Sequence, residues 1–195
     1  MSLVPGPPTI TGALVQEVVG LNDDFLSSLA DVDDDTFHRR PGATAPSIGF
    51  HLWHIARWAD LFQARLPTFA VGLGRLGPRD EIWAARDLAG AWGMRGSLGR
   101  NDTGWGLDDD ASAALPLPAK DAVVEYASAA FEAATGVFAG LRDDELLSPT
   151  DNIYGEVEEW VVLDHFGWYT GHGGRHLGMI EALKGVLGMR GTVTS

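Results

Sequence analysis

The 195-residue chain has no cysteine. This excludes disulfides, thiolate-held zinc or iron–sulfur clusters and cysteine nucleophiles together. Any metal must be held by nitrogen and oxygen, and any thiol chemistry must use a thiol brought in from outside. Positive charge is scarce as well: 14 Lys and Arg against 27 Asp and Glu leave a formal net charge of −13. Nucleic acids and anionic membranes both call for clustered cations, so neither is expected as a partner. No run approaches the ~18 consecutive apolar residues of a transmembrane helix. The opening stretch MSLVPGPPTITGALVQEVVG lacks a positive n-region and a compact apolar h-region, so no secretory signal is read and a cytoplasmic protein is expected. Strand-period alternation of useful length is missing too, and there is no internal repeat.

Apolar mass is plentiful. Hydrophobic residues make up 45% of the chain, with seven Trp and eight Phe, which suits a single globular domain over residues 1–195. Four long segments carry helical periodicity. The first covers about residues 9–29, with Ile10, Leu14, Val18, Leu21, Phe25 and Leu29 in its apolar stripe. The second covers about residues 47–66, from Ser47 as N-cap to Pro67 as stop. The third covers about residues 118–141. The fourth is expected from Val157, with Glu158 and Glu159 in its first turn, to Gly185 or Gly188. Between the second and third lies a long irregular connection with one short helix over residues 81–92. The expected architecture is all-α: a four-helix bundle with a long decorated crossover.

Five of six histidines fall in two of these helices: His51 and His54 in the second, His165, His172 and His176 in the fourth. At ~100° per residue, His172 and His176 lie about 20° to either side of His165, with Tyr169 on the same face. Three imidazoles on a core-facing stripe need hydrogen bonds or a ligand. His172 and His176 are one turn apart, about 6 Å of rise, and can chelate one ion. His165 is about 10.5 Å from His172 along the axis, too far for the same ion, so it and Tyr169 are candidates for supporting or substrate-facing roles. On the second helix, periodicity makes His51 the central residue and His54 the flanking one, and geometry leaves the choice of a third ligand between them open.

Five glycines also crowd the fourth helix, each costing about 1 kcal/mol relative to Ala. Gly171, Gly174 and Gly178 form a smooth stripe that suits close approach by another helix or a second subunit. The literal G-x-G-x-x-G at Gly72, Gly74 and Gly77 follows a helix and precedes Pro78, so it is loop glycine with no dinucleotide role. The acidic runs at residues 31–35 and 108–110 lack EF-hand spacing and read as solvated loop charge.

Ser47-Ile-Gly-Phe-His-Leu-Trp-His54-Ile-Ala resembles the second-helix motif of the DinB/YfiT-like metalloenzyme family, and His172-Gly-Gly-Arg-His176-Leu-Gly-Met-Ile-Glu181 resembles its last-helix motif. The stretches Glu81-Ile-Trp and Gly104-Trp-Gly-Leu are similar to actinobacterial members. The resemblance implies a four-helix bundle holding a divalent ion on His54, His172 and His176, with His51 left to a supporting role. Met179 stands where the family usually has Gln, which removes whatever hydrogen bond that Gln makes. Characterised members use bacillithiol, mycothiol or glutathione. The implied function is a metal-dependent thiol S-transferase or isomerase acting on a small electrophile; a ligand-binding bundle or a metal-assisted hydrolase are the alternatives. Ligation by histidine alone suits zinc or nickel first, then iron or manganese.

Overall fold

Thr9 opens the first helix, α1 (Ile10–Ser28), with its Oγ1 accepting the Gly12 N–H at 2.9 Å. Asp143, far along the chain, caps the same turn by accepting from the Ile10 and Thr11 amides at 3.1 and 2.8 Å. The computed structural model describes residues 8–154 and 159–191. The buried face of α1 runs through Thr11, Val15, Val18, Asn22 and Phe25. Ile10, expected in the apolar stripe, is 62% exposed instead, because Asp143 draws Thr11 inward.

The acidic run after α1 is solvent-exposed, as read from the sequence, and it also has structural partners. Asp33 caps a short helix, α2 (Asp34–His38), by accepting from the Thr36 amide, and Asp34 accepts from the Lys120 amide at 2.7 Å. Asp31 pairs with the fully buried Lys184 at 2.8 Å, which holds the Asp31 carboxyl below its ordinary pKa. Asp108 likewise caps a short helix, accepting from the Ala111 amide.

Helix α3 (Ile48–Arg65) starts at Ser47, whose Oγ accepts from the Phe50 amide at 3.1 Å. It is buried on every side from Ile48 to Gln63, so it runs through the middle of the molecule. The crossover that follows contains two 3₁₀ turns (Leu66–Thr68 and Val71–Leu76), then α4 (Ile82–Ala85), α5 (Leu88–Ala91) and α6 (Asp109–Ala113). The single helix expected over residues 81–92 is thus broken in two. Asp87 takes a left-handed conformation at φ 47°, and the buried Asp60 carboxylate binds the Ile82 and Trp83 amides at 2.8 Å each, fixing the first piece on α3. The Gly72–Gly77 motif lies in and just after the second 3₁₀ turn.

Helices α7 (Lys120–Ala139) and α8 (Val162–Val186) complete the set. α8 begins later than expected, because Trp160–Val161 (β2) pairs antiparallel with Pro149–Thr150 (β1) in a two-stranded ribbon that periodicity did not reveal. Glu159 therefore precedes the helix, and Asp164 occupies the first turn, accepting from the Val161 amide at 2.8 Å. The expected start at Val157 and the placement of Glu158 lie outside the described residues.

α1 packs against α7 and α8, and α3 packs against the same two, which makes a four-helix bundle with a decorated crossover. Phe62 of α3, Phe138 of α7 and Phe166 of α8 stack in its centre, with ring centroids 4.6 and 4.3 Å apart. Burying each such ring contributes about 1.5–3 kcal/mol. Gly173 permits the approach of α1 to α8, since a Cβ there would stand 2.6 Å from Leu21 Cδ2. No helix among the described residues is long and apolar enough to cross a membrane.

Candidate metal centre

The middle of α3 and the middle of α8 face each other, and both carry histidine. Three of these side chains converge: His54, His172 and His176 each offer a ring nitrogen, all within 4.8 Å of one another. His54 Nε2 lies 3.4 Å from His172 Nε2. Two nitrogens bound at ~2.1 Å to one tetrahedral ion stand ~3.4 Å apart, so this pair already has ligand spacing.

The tautomer of His54 follows from its other nitrogen. Nδ1 lies 2.5 Å from the Thr103 carbonyl oxygen, an acceptor only, so Nδ1 carries the proton and Nε2 presents a lone pair to the cluster. His51 stands one turn before His54, with its Nδ1 2.9 Å from Nδ1 of His176. One of these two nitrogens donates to the other; when His176 donates, its Nε2 is the free one. Burial pushes all four imidazoles down, His51 and His54 to about 4, His172 to about 3 and His176 to about 2, and the neighbouring rings push His51, His172 and His176 further. They are neutral at pH 7, the form that ligates a cation.

The remaining sequence candidates lie elsewhere. His165 is fully buried at the ribbon end of α8, with Nε2 2.9 Å from Thr150 Oγ1 and its ring stacked on Phe69. Tyr169 donates to Asn22 Oδ1 at 3.0 Å in the α1–α8 seam. The sixth histidine, His38, joins α2 to the start of α7 through contacts with the Asp34 and Pro118 carbonyls.

Periodicity did not find the residues that complete the site from the crossover. The turn around Gly99–Gly106 lies against α3: Gly104 sits at φ 84°, and a Cβ on it would meet Trp53 Cζ3 at 2.8 Å. This turn places the Thr103 carbonyl on His54 and the Trp105 ring 6.0 Å from Trp58. Arg57, only 1% exposed, holds the turn by donating to the Asp102 carbonyl at 2.9 Å and the Asn101 carbonyl at 3.4 Å. Its charge is matched by Asp60 at 3.2 Å and Glu81 at 2.7 Å. A buried guanidinium needs such a full set of partners. Above the histidines, Trp58, Trp105, Tyr154, Arg175 and Met179 enclose a cavity of about 190 Å³. The glycine-rich Gly104-Trp-Gly-Leu stretch was the one available signal for this wall.

The fold and the site together define a helical bundle with a three-histidine group between two facing helices that could hold a metal ion. The DinB superfamily profile matches residues 19–180, and the chain belongs to that superfamily. A conserved protein from Enterococcus faecalis has a similar structure, with a TM-score of 0.72 at 14% identity over 93% of this chain and 99% of that one. A Streptococcus pneumoniae protein aligns with a TM-score of 0.61 at 10% identity over 95% of each chain. No curated protein matches the chain.

Proposed function

We propose that the chain is a divalent-metal-dependent enzyme in which His54, His172 and His176 hold the ion, and that it acts as a thiol S-transferase or isomerase. The observation that carries this reading is the convergence of three neutral ring nitrogens, one of them with its tautomer set by the Thr103 carbonyl. A divalent ion held by three neutral ligands keeps its full charge and an open position, and so supplies acidity to a bound thiol or water. The chain's own residues do the rest. His51 holds the His176 ring, Arg57 holds the turn that carries Thr103, and Trp58, Trp105 and Tyr154 wall the cavity above the cluster. With no cysteine in the chain, the sulfur nucleophile is a low-molecular-weight thiol of the mycothiol type, and its partner is a small electrophile.

Zinc or nickel suits the set first, then iron or manganese. A cytoplasmic setting, where such thiols stay reduced, goes with this reading. So does a homodimer through the open face of α8, where a Cβ on Gly171, Gly174 or Gly178 would meet nothing within 4 Å.

The test is metal analysis of protein purified without a polyhistidine tag, followed by conjugation assays pairing mycothiol with a small electrophile. About one ion per chain and thiol-dependent turnover are expected. An ion without thiol turnover leaves a metal-assisted hydrolase, and no ion at all leaves a ligand-binding bundle.

A further inference from the structure

The cavity above the histidines carries a cation and no anion among the described residues. Arg175 at its rim reaches only its own helix, with Nε 3.4 Å from the Gly171 carbonyl, and makes no ion pair among the described residues. Tyr154 accepts from the Trp168 indole at 2.7 Å, so its own hydroxyl proton is left to donate. No carboxylate among the described residues lines the cavity, although the chain carries 27 acidic side chains. The space therefore offers the Tyr154 hydroxyl proton and the Arg175 charge beside three neutral imidazoles, with no anion among the described residues to match that charge. A guanidinium is suited to planar, two-oxygen acceptors.

We infer that this cavity binds a small organic carboxylate, with the carboxylate on Arg175 and a flat apolar body against Trp58, Trp105 and Tyr154. At about 190 Å³ the space is smaller than the ~300–1,000 Å³ of sites for drug-sized ligands, so the ligand is small. The aromatic walls favour an unsaturated or aromatic body, which stacks on them. The inference names the substrate class for the site proposed above and rests on that reading for its catalytic meaning. The binding step itself needs no ion.

The test uses benzoate as probe, with benzamide as its neutral counterpart and benzylamine as its cationic one. Binding is followed by tryptophan fluorescence and calorimetry on the full chain, both stripped with chelator and reloaded with zinc. In both forms benzoate is expected to bind about tenfold or more tightly than benzamide, with no binding of benzylamine, and Arg175→Gln should abolish that preference. Arg175 is at the surface, so the variant should fold; equal melting temperatures check this. Tyr154→Phe, which keeps the six-membered ring and removes the hydroxyl, should weaken benzoate more than benzamide. Equal affinity for benzoate and benzamide, an Arg175→Gln variant that still prefers benzoate, or binding of neither would overturn the inference. Benzoate that binds only the zinc form and ignores Arg175 would overturn it too, because the ion alone would then hold the carboxylate. Arg175-dependent binding in a protein that takes up no metal would support this inference while removing the metal reading.

Discussion

The Thr103 carbonyl oxygen lies 2.5 Å from Nδ1 of His54, although the two residues are 49 positions apart. One contact thus ties the crossover to the buried helix and sets which nitrogen of His54 faces the cluster. Arg57, one turn after His54, secures the arrangement by holding the Asp102 and Asn101 carbonyls just before Thr103.

Gly104→Ala tests the turn directly. At φ 84° with Trp53 2.8 Å from the added carbon, the substitution strains the backbone by about 1–3 kcal/mol and displaces the Thr103 carbonyl. Metal affinity should fall about 10–100-fold, as when an outer hydrogen-bond partner is lost. Unchanged affinity in a competition titration would show that the Thr103 contact does not tune His54.

Arg57→Met leaves Asp60 buried without its cation. A loss of about 3–5 kcal/mol in urea unfolding is expected from removing one partner of a buried pair. A loss below ~1 kcal/mol would mean that Tyr126, Gln63 and the Ile82 and Trp83 amides, which also bond Asp60, satisfy it without the guanidinium.

His172→Ala should abolish metal uptake by the proposed site, whereas His165→Ala should leave uptake unchanged and lower only the melting temperature, since His165 packs against Thr150 and Phe69. Metal analysis of both variants separates the two roles. Equal metal loss in both would place His165 in the site.

Acid should destabilise the metal-free protein above the range in which carboxylates titrate. Five imidazoles (His51, His54, His165, His172 and His176) are lowered from 6.5 to about 4 or below by burial. The unfolded chain then binds protons that the folded chain does not, so stability is full above the unfolded value of 6.5 and declines as pH falls through 6.5 toward about 4. Urea midpoints at pH 7, 6 and 5 should decrease in that order. A flat series over this interval would contradict the burial of these rings.

Much of this was readable in advance. Ser47 and Pro67 marked helix ends through capping and ring geometry, and each is a local property of the chain. Placing His172 and His176 together while setting His165 apart needed only 3.6 residues per turn and 1.5 Å of rise. The β1–β2 ribbon was not readable, because two residues per strand carry no period. The break at Asp87 was hidden as well, since it depends on Asp60 reaching across from α3 to the Ile82 and Trp83 amides.

By itself, then, the sequence determined a helical chain without thiols, and two helices bearing imidazoles on core-facing stripes. It could not choose between His51 and His54 by geometry, because a helical wheel describes one helix and says nothing of how its neighbour is rotated against it. Tertiary packing brings His54, not His51, into the group with His172 and His176. It set His54 Nε2 opposite His172, turned His51 toward the far side of His176, and brought the Thr103 carbonyl from the crossover to hold the His54 proton. Contacts between segments distant in the chain depend on the joint fit of side-chain volumes across the whole core, and no local periodicity encodes that fit.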